Sequence, residues 1–269
     1  MRRFFVQNYA IQDLMFILPT TLISVNLQSF TMEKLNLLFT KDGLQYQISK
    51  NKNVLEENSY FLNEETSREL IDEKLKEILS QKKFQEINII SALNHFTLMP
   101  ETFKEHDMGY DLIAFNAPAD KENEELMLSV NKKYAIQFYY AFPKSFYNQL
   151  KAAAWPSYFN FSGEKFLNSI TPKNGKEIHI NLYHNQCEFF AFEKGKVILY
   201  NNLDVNSEVD FLYFVMFTLS KIGFSINETN FYVYGETTEN ETFISELQKF
   251  VKNLKIVFDN IPAKNFILN

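Results

Sequence analysis

The residues best suited to chemistry are few in this 269-residue chain: four histidines, one cysteine and scattered acids. His95, His106, His179 and His184 include no i, i+4 helical pair and no His-Glu-x-x-His pattern, the spacing that would aim two imidazoles at one zinc ion. His179 and His184 differ in strand parity, so they are expected on opposite faces of a sheet. Structural or surface roles are expected for all four. Cys187 lies among aromatics in mid-strand, where a small buried hydrophobe is expected and not a nucleophile. A lone cysteine can form no internal disulfide and no Cys-based zinc site. The acid clusters Glu56-Glu57, Glu64-Glu65 and Glu122 to Glu125 read as solvated loops or caps, and residues 74–83 as a mixed-charge helix face. No Gly-x-x-x-x-Gly-Lys-Ser/Thr loop occurs. These patterns predict no catalytic and no metal-ligating residues.

The elements that would position any site are built from an apolar, glycine-poor chain. Apolar residues make up 46%, with 28 Phe and 14 Tyr against 7 Gly and 7 Pro. This excludes intrinsic disorder and leaves little material for phosphate-cradling loops. A net charge of −6 argues against phosphate backbones or anionic lipid as partners, so no nucleic acid is expected. Met1-Arg2-Arg3 resembles the start of a signal peptide, but Asp13 and Pro19 break up the apolar stretch behind it, and export is not expected. The longest apolar run, Phe211 to Phe217, is shorter than the roughly 20 residues of a membrane span, so a buried helix and no transmembrane segment are expected. The default location is the cytoplasm.

Along the chain, residues 1–30 read as irregular strand and loop. Leu35 to Phe39 and Leu44 to Ile48 read as a hairpin around Asp42-Gly43. Residues 50–63 read as polar and turn-rich. Thr66-Ser67-Arg68-Glu69 reads as a capping box opening a helix to Gln81, followed by a strand from Ile87 to Leu93. Phe96 to Pro100, Leu126 to Val130 and Ala135 to Phe142 are predicted strands. A helix is expected from Pro143 to Ala154. The aromatic cluster of Trp155, Tyr158, Phe159 and Phe161 is expected in the core, with a protein interface as the alternative. Three strands (Ile178 to Tyr183, Cys187 to Phe192, Val197 to Leu203) precede a helix opened by Ser207 and stopped by Gly223. A strand from Phe231 to Tyr234, a helix through Phe243 to Leu254 and a strand to Phe258 complete the chain.

The order β-β-β-α-β-α-β describes a ribonuclease H-like unit, and two in tandem describe an actin-like ATPase fold. The expected class is therefore α/β, with halves at 1–135 and 136–269 and mixed sheets flanked by helices. A nuclease of this fold needs carboxylates on its first strand for two-metal chemistry, and neither Leu35 to Phe39 nor Ile178 to Tyr183 contains one.

The segment from Asn202 to Phe217, ending near Ile222-Gly223-Phe224, resembles the uncharacterised bacterial family catalogued as domain of unknown function 3822. So do Phe231 to Gly235 and the two apolar-Pro-x-x-Phe segments at Phe96 to Phe103 and Tyr139 to Phe146. The resemblance implies an actin-like fold without an assigned activity. It also implies where a nucleotide would sit: on two hairpins for phosphate and a glycine-containing corner for adenosine. These map to Lys41-Asp42-Gly43, to Tyr183-His184-Asn185-Gln186, and to Tyr234-Gly235-Glu236-Thr237-Thr238. The first keeps Asp42 and Gly43 but lacks further small residues, the second lacks glycine and acid, and the third keeps one glycine. Asp42, Gly43, Gly235, Glu236 and Thr237 are thus the candidate vestigial nucleotide-binding residues. A non-catalytic assembly or interaction module with an unknown protein partner and no cofactor is expected. The alternative is a divergent nucleotide-binding ATPase or kinase using ATP and magnesium.

Overall fold

Central strands buried along nearly their whole length build two five-stranded sheets of one design. The computed structural model describes residues 33–257 apart from 64, 65, 82, 83, 154, 238 and 239. The expectations for residues 1–30, Glu64-Glu65, Thr238 and Phe258 lie outside the described residues.

In the first sheet β1 (Glu33–Thr40), β2 (Gly43–Lys50) and β3 (Asn53–Phe61) form an antiparallel meander. Helix α1 (Arg68–Gln81) leads to β4 (Glu86–Ser91), parallel to β1. An insertion comes next: β5 (Phe96–Pro100), a 3-10 turn at His106–Met108, α2 (Gly109–Ile113), β6 (Glu124–Asn131), β7 (Ile136–Pro143) and α3 (Lys144–Ala152). Its strands make a separate sheet, β5-β7-β6. The chain then returns as β8 (Ser157–Phe161), parallel to β4, and crosses through α4 (Ser162–Ser169).

The second half repeats the plan without an insertion. It comprises β9 (Lys176–Tyr183), β10 (Gln186–Glu193), β11 (Lys196–Asp204), α5 (Glu208–Ile222), β12 (Asn230–Gly235), α6 (Glu241–Gln248) and β13 (Leu254–Ile256). The orders β3-β2-β1-β4-β8 and β11-β10-β9-β12-β13 are congruent. The halfway point at 135/136 falls inside the β6–β7 hairpin, and the first sheet continues to Phe161.

Three local expectations are corrected. Residues 50–63 contain β3, an edge strand so polar and exposed that it lacks an alternating apolar signal. Its turn, Asn51-Lys52, has both residues at positive φ (51° and 67°), the geometry of a type I′ hairpin. The cap of α1 is Ser67 and not Thr66, because the Leu70 N–H donates to Ser67 Oγ at 3.3 Å. The run in α5 is not enclosed on all sides: Phe211, Val215 and Leu219 are buried, while Tyr213 and Phe217 are exposed. The start and stop of α5 are as expected. Ser207 Oγ accepts the Asp210 N–H at 3.1 Å, and Gly223 is left-handed at φ +70°.

The second sheet is buried on both faces. Cys187, Phe189 and Ala191 face α5 and α6. Phe190 and Phe192 face a second core, which runs through α4 and the inserted sheet to Leu35, Leu37 and Phe39 of β1. This core absorbs Phe161, while Tyr158 of the same aromatic cluster is exposed.

Candidate functional site

The first hairpin is shaped by its neighbouring strand. Lys41-Asp42 is a two-residue turn, and the Asp42 carbonyl accepts the Leu62 N–H at 2.6 Å. A Cβ on Gly43 would lie 2.0 Å from the Tyr60 carbonyl oxygen, so the absent side chain is what lets β3 pair. A cavity of about 40 Å³ lies beside this turn, between Thr40, Lys41, Gly43 and Arg68. It has room for a few waters.

The second hairpin turns at His184-Asn185, with Asn185 at φ +52°. The His184 imidazole stacks on Phe61 of β3, ring centroids 4.2 Å apart, so the end of β3 meets the second hairpin through two rings. At the third position, β12 ends on Gly235 at φ +82°. A Cβ there would lie 2.3 Å from the Leu182 carbonyl oxygen and 2.5 Å from Asn181 Oδ1. The Glu236 N–H donates to that same Leu182 carbonyl at 2.9 Å, and the Thr237 N–H to Gly235 O at 2.9 Å.

The Glu236 side chain is buried and turned toward the first half, where Gln45 Nε2 donates to its Oε1 at 2.8 Å. Gln45 comes two residues after Gly43, so the structure joins the first hairpin strand directly to the Gly235-Glu236 corner. Further bonds cross between the halves. Lys41 Nζ donates to Asp204 Oδ2 at 2.6 Å and Asn94 Nδ2 to Asp204 Oδ1 at 2.7 Å. Gln186 Nε2 reaches the Ala92 carbonyl at 2.5 Å, and Asn202 Nδ2 reaches it at 3.1 Å. Leu38, Ile90 and Ala92 of the first half pack on Tyr183 of the second. The Lys41 amine is raised above its usual pKa, chiefly by the hydrogen bond to Asp204. That pair is half exposed and adds little to stability.

Of the sequence-selected residues, Asp42 and Gly43 on one side and Gly235, Glu236 and Thr237 on the other therefore flank one seam. The residues that bridge it, Gln45, Phe61, Gln186 and Asn202, carried only a faint signal. Gln45 is one of the polar members of the alternating strand Gly43–Lys50, but alternation does not say what a polar residue will meet.

A second polar centre escaped sequence reading. Glu188 of β10 is fully buried and accepts from Ser162 Oγ, Tyr183 OH (2.7 Å), Tyr200 OH (2.8 Å) and Asn181 Nδ2 (3.2 Å). Burial raises its pKa against the opposing effect of these donors. An acid in the interior of the apolar strand Gln186–Glu193, between Cys187 and Phe189, was the available signal. Burial also pushes the Cys187 thiol up, which leaves it unreactive. His179 is buried between Tyr234 OH (2.9 Å) and Glu177 (3.2 Å), and burial lowers its pKa. His95 meets Glu124 at 2.6 Å and His106 meets Tyr139. Among the described residues no group of three or more His, Cys, Asp or Glu is placed to hold a metal ion, and no helix is long and apolar enough to cross a membrane.

Two congruent sheets of this order, joined by a crossing helix, define an actin-like ATPase fold. A crystal structure of a Bacteroides thetaiotaomicron VPI-5482 protein with actin-like ATPase fold and unknown function matches with a TM-score of 0.74. It is 19% identical, over 90% of this chain and 96% of that one. The PilM-PilN type IV pilus biogenesis complex matches with a TM-score of 0.51 at 12% identity, over 84% of this chain and 88% of that one. No curated protein sequence matches. The chain belongs to the family described as protein of unknown function, DUF3822, whose model matches residues 24–254.

Proposed function

We propose that this protein is a non-catalytic actin-like module that works by binding another protein, and that it does so in the cytoplasm. The observation that carries the reading is the buried Gln45–Glu236 hydrogen bond, which occupies the seam where the fold would hold a nucleotide. The groups around it fit ATP poorly. A buried carboxylate stands at the adenosine corner, and the second hairpin offers an imidazole and amides in place of an acid. The Gly43 backbone is engaged with β1 and β3, so it is not free to wrap a phosphate. The likeness to the PilM-PilN type IV pilus biogenesis complex, an assembly of protein with protein, supports a binding role. The single buried thiol is compatible with a reducing compartment.

The test is thermal unfolding with and without ATP and magnesium, alongside phosphate release. A ligand at a hundred times its Kd would add about 2.7 kcal/mol, or roughly 5–10 °C in a chain of this size. The expected result is no shift and no turnover. A shift of that size would overturn the proposal in favour of the divergent nucleotide-binding reading, which the retained Gly235 supports.

A further inference from the structure

Helix α5 is apolar around most of its circumference, a composition suited to a helix enclosed on all sides, yet one side is open. Val209, Tyr213 and Phe217 are 74%, 59% and 46% exposed. They recur every fourth residue and so form one row along the helix. The Tyr213 and Phe217 rings stack at 5.7 Å. The row is charged oppositely at its two ends. Val209 lies between Glu208 and Asp210 in the first turn. At the other end the row continues to Lys221, whose Nζ sits 5.1 Å from the centroid of Phe217. None of these three charges has an ion-pair partner among the described residues.

We propose that this row is the self-complementary face of a two-fold homodimer, with α5 of a second copy lying antiparallel across it at Tyr213. A two-fold axis there sets Val209 opposite the other copy's Phe217 and stacks tyrosine against tyrosine. It also brings the acidic first turn toward the other copy's Lys221, because lysine leans back toward its own helix N-terminus. A second copy thus supplies both the missing apolar cover and the opposite charge at each end, which is what an isologous interface requires. The inference is independent of whether the seam between the halves takes a nucleotide.

Sedimentation of the full chain across a dilution series is the test. The wild type is expected to be a dimer that dissociates on dilution. Tyr213→Glu, at an exposed position that spares the fold, is expected to raise the dissociation constant at least about tenfold. Lys221→Glu should weaken the dimer several-fold, and adding Glu208→Lys should restore it. For register, Tyr213→Cys should cross-link through a short bis-maleimide, since facing helices lie about 8–10 Å apart. Ser220→Cys should not, because antiparallel pairing separates the two copies of that residue by roughly 20 Å along the axis. Buried Cys187 gives no background. A monomeric wild type at the highest soluble concentration, a dimer indifferent to Tyr213→Glu, a charge swap without rescue, or equal cross-linking at Ser220 would overturn the proposal.

Discussion

Glu188→Ala is expected to be the most damaging single substitution, lowering stability by about 3–5 kcal/mol. Ser162, Tyr183, Tyr200 and Asn181 all donate to this carboxylate, which has no exposure to water. Each buried donor left without an acceptor costs about 1–3 kcal/mol, reduced where water enters the space. The donors join the second half to the crossing helix: Ser162 opens α4, Asn181 and Tyr183 lie on β9, and Tyr200 lies on β11. Denaturant titration at neutral pH should show the loss, with the thermal midpoint falling by roughly 10 °C.

The pH dependence of the same residue has a definite sign. Burial raises the Glu188 pKa in the folded state above its unfolded value. The folded state therefore binds this proton more tightly, and the group's contribution to stability is full below the unfolded pKa. It is lost as pH rises through the folded value. The stability advantage of the wild type over Glu188→Gln should accordingly be largest below about pH 4.3, the ordinary value for this side chain, and should shrink as pH rises toward neutral. An advantage that grew with pH would show that the four donors, and not burial, dominate.

Gly235→Ala is the second large effect, expected to cost at least about 3 kcal/mol. Two penalties combine there. A left-handed backbone costs an L-residue about 1–2 kcal/mol, and the new methyl would lie 2.3 Å from the Leu182 carbonyl oxygen, a backbone atom held in the β9–β12 ladder. Gly223→Ala separates the two penalties. That glycine has a similar φ of +70° but nothing within 4 Å of a built Cβ, so only about 1 kcal/mol is expected. Unfolding of both variants without nucleotide is the measurement. Were Gly235 kept for a ligand instead, Gly235→Ala would match Gly223→Ala in buffer and lose only ligand-dependent stabilisation. The same substitution should displace Glu236 from Gln45, because the Glu236 N–H is anchored on the carbonyl that the methyl would crowd.

Much of the fold was written locally. Leu35, Leu37 and Phe39 alternate with Asn36, Asp42-Gly43 marks a tight turn, and Ser207 and Gly223 bound α5, so each element declares itself through period, turn chemistry or cap. The order of those elements pointed to two related halves. The elements that stayed hidden are those stabilised by partners distant in sequence. Strand β3 has no apolar rhythm and forms because β2 offers it an edge. Strand β8, after the insertion, is fixed by pairing with β4, on the far side of that insertion in the chain.

The candidate site divides along the same line. Sequence by itself determined that the first hairpin keeps Asp42 and Gly43 without further small residues, that the second has neither glycine nor acid, and that few glycines remain to line a pocket. Only the tertiary structure decided what those positions meet. Gly43 admits Tyr60, Gly235 admits the Leu182 carbonyl, and Glu236 takes a hydrogen bond from Gln45, 191 residues away. The physical reason is that a polar or glycine residue advertises a need, for a partner or for space, while the partner is supplied by whichever strand the sheet order brings alongside. Length of chain hides that pairing from sequence, and burial makes it decisive, since a polar group removed from water must find its partner inside the fold.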